Sequence, residues 1–304
     1  MTGFVLRRLG WMLITLWVVF TISFFLMRAV PGGPYDSERA LEPEIEAVIQ
    51  REYDLDKPLI VQYGKKLGQL VSGDLGSSLK IRARVNQIVA EGLPVSAALG
   101  LLALVVAFAL GMPAGIVSAV FRGSTADVAL MSVATLGIAL PNFVVAGFAI
   151  LIFVFWLPLL PAAGWGSLEQ LVLPALCLGA PYAAYVARIT RTGMLDVLGQ
   201  DHIRTARAKG VSPTTVVLKH ALPTAMLPVV SFLGPAVAGI MTGSPVVEQI
   251  FAIPGLGWHF VQSAIDKDYP MAMGLVLLYT ALLYTMNLLV DLSYGLLDPR
   301  VEWE

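Results

Sequence analysis

The chain has 304 residues, 57% of them hydrophobic and 13% charged, with a net charge of −1. A soluble domain carries roughly 25% charged residues, so this composition reads as an integral membrane protein that one domain can hold. No basic nucleic-acid motif is present, and a single cysteine, Cys177, cannot form an internal disulfide.

A helix crosses the hydrocarbon core in about 20 residues. Six uncharged stretches approach or exceed that length: 9–27, 92–121, 128–168 (with breaks near Pro158 and Pro161), 170–187, 221–247 and 269–290. Six such runs argue for six spans. A soluble core would show polar helix faces, and a membrane barrel would show period-two alternation.

Arg7 and Arg8 precede the first span and predict a cytoplasmic N-terminus. Six spans return the C-terminus to the same side. The first stretch lacks a small-residue cleavage site and runs into Arg28, so it reads as a retained span rather than a signal peptide. Residues 31–91 then lie outside, where a long loop translocates largely regardless of its charge. Residues 44–53 read as a short helix ended by Leu55-Asp56-Lys57-Pro58. Leu59, Tyr63, Leu67 and Leu70 recur on one helical face, and Gly73-Asp74-Leu75-Gly76 is a turn cluster. The expectation is a small helical cap, either docking a partner or only packing on the spans.

In the second to fifth spans, Gly111-Met112-Pro113, Pro141-Asn142 and Gly234-Pro235 place helix breakers in apolar runs. Such breaks suit a water-filled path, and small residues equally suit close helix packing. Thr135, Asn142, Thr242 and Ser244 are the polar candidates for lining a path. Ionisable groups are few: Arg28, Asp291 and Glu248 sit near span ends, which counts against a proton-coupled carrier. His202, His220 and His259 lack metal-ligand spacing, and no phosphate-binding glycine loop is present.

The most polar segment of the second half lies at 188–219. It holds six Lys/Arg (Arg188, Arg191, Arg204, Arg207, Lys209, Lys219) against Asp196 and Asp201. The spacing predicts a helix over 201–209, Gly210 as a left-handed stop, and Ser212 and Pro213 as cap and first residue of a second helix. That helix runs to Leu222, and Pro223 opens the next segment. By composition alone this is either a basic loop that orients the protein or a compact knob with a task.

The residues Arg204-Thr205-Ala206-Arg207-Ala208-Lys209-Gly210, followed by Leu222-Pro223, resemble the EAA signature of ABC importer permeases. The usual acidic position falls on Arg204, and only the last alanine, Ala206, is kept. The run is similar to the peptide and nickel branch of that family. Further resemblance lies in Phe4-Val5-Leu6-Arg7-Arg8, Pro31-Gly32-Gly33-Pro34, Gly73-Asp74-Leu75-Gly76, Thr242-Gly243-Ser244-Pro245 with Pro254-Gly255-Leu256-Gly257, and Asp298-Pro299-Arg300. The stretch 38–44 is similar to the first permease subunit of oligopeptide importers.

The resemblance implies an all-α, six-span, type I ABC importer permease in a bacterial cytoplasmic membrane, divided as 1–30, 31–91, 92–297 and 298–304. It implies a coupling loop at 194–223, with Asp201, Arg204, Thr205, Ala206, Arg207, Lys209, Gly210, Leu222 and Pro223 meeting an ATPase. The implied partners are a homologous second permease, two ATPase subunits that use ATP and Mg, an extracytoplasmic peptide-binding protein, the peptide cargo and membrane lipid. This chain itself would be non-catalytic and bind no cofactor or metal. Dipeptide, glutathione or nickel-chelate cargo, or an ATP-independent secondary carrier, are the alternatives.

Overall fold

The structure, a computed structural model, describes residues 2–29, 57–241 and 244–297. The helix expected at 44–53, the Pro31-Gly32-Gly33-Pro34 and 38–44 segments, Thr242 and the 298–304 tail lie outside the described residues. The chain divides into two compact units, residues 1–94 with 255–281 and residues 95–254 with 282–304.

In the first unit, α1 (Thr2–Ala29) is a 28-residue apolar helix. Its C-terminal half packs on α2 (Leu59–Val71), the helix that the Leu59, Tyr63, Leu67, Leu70 spacing predicts. Tyr63 lies 5.1 Å from the Phe20 ring and 5.4 Å from the Phe24 ring, and its hydroxyl meets Thr21 Oγ1 at 2.9 Å. Arg28 is held at the end of α1 because its charge is shared out. It donates from Nε and Nη2 to Gln62 Oε1 at 3.0 and 2.7 Å, and its guanidinium lies 4.0 Å from the Phe24 ring centroid. The turn after α2 uses Gly73 and Gly76 at positive φ, and Lys66 Nζ donates to the Leu75 carbonyl at 2.8 Å. Burial pushes the Lys66 ammonium down from its ordinary pKa, with Asp74 pulling the other way.

Two further helices complete this unit, α11 (Leu256–Ile265) and the first part of α12 (Tyr269–Leu297). They share a core of Val85, Ile88, Leu256, Met271 and Leu275 with the start of α3 (Val85–Val120). Ser78 Oγ donates to Asp268 Oδ2 beneath this core. Half-burial pushes the His259 imidazole on α11 below its ordinary pKa.

The second unit is arranged around α6 (Leu168–Leu198). Its other elements are the remainder of α3, α4 (Thr125–Ala139), α5 (Asn142–Trp156), α7 (Asp201–Ala208), α8 (Pro213–Ala225), α9 (Leu227–Met241), α10 (Pro245–Ile250) and the remainder of α12. Residues 151–156 of α5 and 216–221 of α8 are wound as π-helix. Backbone contact joins α3 to α6: a Cβ on Gly115 would fall 2.5 Å from the Ala187 carbonyl oxygen, and one on Gly179 would fall 2.6 Å from that of Ala103. Leu99, Leu173, Cys177, Ile240 and Phe251 fill one core of the unit. Beside it, Ser96 donates to the fully buried Glu248 at 2.9 Å.

Among the described residues, four single helices are long and apolar enough to cross a membrane, and two bent pairs bring the total to six. The expected breaks of the third stretch hold, and two other expectations need correction. The stretch leaves helical geometry after Trp156, at Pro158 and Pro161, and it bends at the Pro141-Asn142 breaker, where α4 and α5 meet at 111°. Pro141 has no amide hydrogen, and the residue before a proline avoids the α region; Leu140 accordingly has φ −83° and ψ 128°. The fourth span does not stop at 187 but continues as α6 to Leu198, so Arg188 and Arg191 sit on a helix rather than in a loop. Finally, α3 and α9 run unbroken through Pro113 and Pro235. The 53° bend of the fifth span lies instead between α8 and α9.

Candidate functional site

The 201–213 part folds as the sequence grammar predicts, whereas α8 does not stop at Leu222 but runs through Pro223 to Ala225. Asp201 lies in the first turn of α7 and Arg207 in the last, each favoured there by the helix dipole. Gly210 has φ +77°. Its amide donates to Arg207 O at 3.0 Å, and the Val211 amide reaches Ala206 O at 3.2 Å. This is the paired bond pattern of a Schellman stop, completed by Val211 and Ala206 in one apolar cluster. Ser212 then accepts from the Thr215 amide at 3.4 Å, with Pro213 as the first helical residue of α8.

One face of this knob is buried. Ile203, Ala206, Val216, Ala221 and Ala225 pack on Ala119 of α3 and on Met194 and Val197 of α6, and Leu222 joins at the edge. The other face is open: Asp201, Arg204, Thr205, Arg207, Lys209, Gly210 and Pro223 are exposed. Arg204 pairs with Asp201 at 3.1 Å, but both side chains are solvated, so the pair is worth little and leaves the face basic. The arrangement is a positively charged prominence packed on the ends of two spans.

A cluster that the sequence did not single out braces the same helix ends. Asp127 on α4 is 5% exposed. It accepts from Ser118 Oγ on α3, from the Gly123 amide at 2.9 Å, and from Arg191 Nε and Nη2 on α6 at 2.8 and 2.9 Å. A bidentate guanidinium fork of this kind is both strong and geometrically selective. Nothing in the local pattern announces it, because the partners lie 64 residues apart.

The path candidates are not gathered in one place. Thr135 is exposed, donates to Met131 O at 2.8 Å, and lines a hollow of about 670 Å³ beside Asp127 and Arg191. Asn142 lines a different hollow of about 500 Å³ at the Pro141 break. Ser244 is half-buried and caps α10 through the Val247 amide.

Residues 111–303 match the family model described as the binding-protein-dependent transport system inner membrane component, and residues 1–100 match the model of its N-terminal part. The chain belongs to this family of transport-system membrane components. Relatives of this permease include a dipeptide transport system permease protein of Bacillus subtilis, 44% identical over 99% of this chain and 98% of the relative. The oligopeptide transport system permease proteins of Haemophilus influenzae and Escherichia coli are each 43% identical over the full length of both chains. The permease also resembles inward-facing structures of the MetNI methionine ABC transporter, with TM-scores of 0.56 and 0.59. Each resemblance is at 20% identity and covers 70% of this chain and 97% of the other, which establishes the type I permease fold. The expected fold class and importer family therefore hold. The permease is the membrane component of a transporter whose family name implies a binding protein, and its fold is that of an ABC importer subunit.

Proposed function

We propose that this permease is one membrane half of an ATP-driven importer of oligopeptides. The observation that carries the cargo is the 43% identity, end to end, to oligopeptide permeases. In this reading a homologous permease forms the other half, two ATPase subunits hold ATP and Mg, and an extracytoplasmic binding protein delivers the peptide. This chain supplies no catalytic group and holds no cofactor or metal. Residues 1–30 anchor the chain, 31–91 form an outer cap, 92–297 form the permease core, and both termini with the 298–304 tail face the cytoplasm.

The 194–223 segment couples the ATPases to the spans. Its exposed Arg204, Arg207 and Lys209 suit an acidic or polar groove, and its buried Ile203, Ala206 and Val216 tie any displacement to α3 and α6. Closure of the ATPases pushes the knob, and the helices move with it because their contact leaves no compliant layer. Thr135, Asn142, Thr242 and Ser244 line parts of the path.

The test is uptake of labelled peptides of two to eight residues by cells with and without the gene, with and without ATP depletion. ATP-dependent loss of the longer peptides on deletion is the expected result. The 44% identity to a dipeptide permease favours the shorter cargo as second reading, and selective loss of dipeptides would install it. ATP-independent uptake would overturn the importer itself.

A further inference from the structure

The break at Leu140-Pro141 interrupts an apolar helix pair that together is long enough to cross a membrane. α4 spans 15 residues from its Ser124 cap, a rise of about 22 Å, which falls inside a hydrocarbon core of about 30 Å. Within a hydrocarbon core an interrupted backbone is tolerated only where protein covers it or where it lines a water-filled space. Pro141 deprives the Gly137 carbonyl of its helical donor, and Pro181 on α6 does the same to the Cys177 carbonyl.

Both prolines border the hollow of about 500 Å³ described above, within the usual range of ligand sites. Its other notable walls are Asn142, Tyr182, Tyr185 and Phe232. Phe232 lies 5.7 Å from the Tyr185 ring and 6.4 Å from the Tyr182 ring, with tilts of 32° and 42°. Tyr185 is 44% exposed. Neither the Asn142 amide nor the Tyr185 hydroxyl has a hydrogen-bond partner among the described residues. No carboxylate, guanidinium or ammonium lines the hollow.

This chemistry is selective. Without fixed charge the site offers no ion-pair partner to a peptide terminus, a metal chelate or an ionised side chain. Aromatic faces accept apolar groups of many shapes, and a primary amide offers a donor and an acceptor together, matching the repeat of a peptide main chain.

We propose that this hollow at the Pro141 break is a cargo subsite in the translocation path, holding a stretch of peptide by its main chain and reading no side chain. The proposal rests on the peptide-importer reading. It explains how one path passes mixed sequences: what it grips is common to all of them.

The experiment uses the assembled transporter in membrane vesicles, in a Cys177→Ala background, which removes the buried native thiol. Tyr185→Cys and Asn142→Cys are made singly, and reaction with a membrane-impermeant thiol reagent is timed. The probes are a hexapeptide of alanine and glycine and the same peptide N-methylated at every internal amide. Both cysteines react, and the unmethylated peptide at ten times its Kd slows the reaction about tenfold, while the methylated peptide slows it far less. Equal protection by both peptides would remove main-chain recognition. Reaction without protection would make the hollow a plain water space. Unreactive cysteines that cross-link to the second permease would make this face a subunit seam. Failure of the peptide reading itself shows separately, as normal peptide uptake in the deletion strain.

Discussion

Asp127 receives four hydrogen bonds from three separate segments of the chain. Its partner Arg191 keeps 27% side-chain exposure but sits on a helix long enough to span a membrane, where a guanidinium without a carboxylate has no matched partner. Asp127→Asn therefore lowers the thermal unfolding temperature of the purified permease complex. The double variant Asp127→Asn with Arg191→Gln recovers part of the loss, because no charge is left stranded. An Asp127→Asn complex as stable as the native one would demote the cluster to decoration. Gly210 poses a different constraint. A Cβ there would meet nothing within 4 Å, so space is not the issue; φ of +77° is. Gly210→Val carries a cost of roughly 1–2 kcal/mol or more for the left-handed conformation. It abolishes uptake while the protein still inserts, as read by transport assay beside membrane immunoblot. Gly210→Asn, which adopts that conformation readily, retains most activity. Equal behaviour of the two variants would separate the turn from its proposed task.

Helix contacts explain which elements were legible and which were not. The knob could be read from the chain because its stop and start signals, Gly210, Ser212 and Pro213, are local chemistry. Span lengths were legible from apolar runs, but helix ends were not. The fourth span carries Arg191 on its helix beside Asp127 of α4, which accepts its charge, and only the folded arrangement supplies that partner. Likewise Pro113 reads as a breaker, yet α3 continues through it. Gly115, two residues on, packs directly on α6, a tertiary contact that the local pattern does not show. Gly115→Val pushes a side chain onto the Ala187 oxygen and the Thr190 Cβ, 2.5 and 2.7 Å from the position of the first added carbon. The overlap costs on the order of 1–3 kcal/mol and lowers the unfolding temperature in detergent. Gly147→Val on α5, where nothing lies within 4 Å, is the matched control and does not lower that temperature. A Gly115→Val protein as stable as the control would mean that the two helices can part freely.

At the scale of the whole molecule, the charge pattern makes a topological demand. In the proposed orientation Arg7, Arg8 and Arg122 share the cytoplasmic side with the basic knob, while the 157–167 loop contains no Lys or Arg. A reporter active only in the cytoplasm gives signal when fused at either terminus and none when inserted in 157–167; the reverse pattern would invert the proposed orientation. The path was the least legible part. Polar residues in apolar runs nominated Thr135 and Asn142, but they line separate hollows, and the aromatic walls around Asn142 come from α6 and α9, which no local pattern links. The π-wound turn at 216–221 adds a mechanical property. A π turn holds more chain than an α turn of the same rise, so it is a stored slack of one residue. Rewinding it to α geometry would rotate the chain that follows by about 100° about the helix axis, one residue's share of a 3.6-residue turn. A push on the knob therefore has a route to become a twist of the following helix as well as a shift.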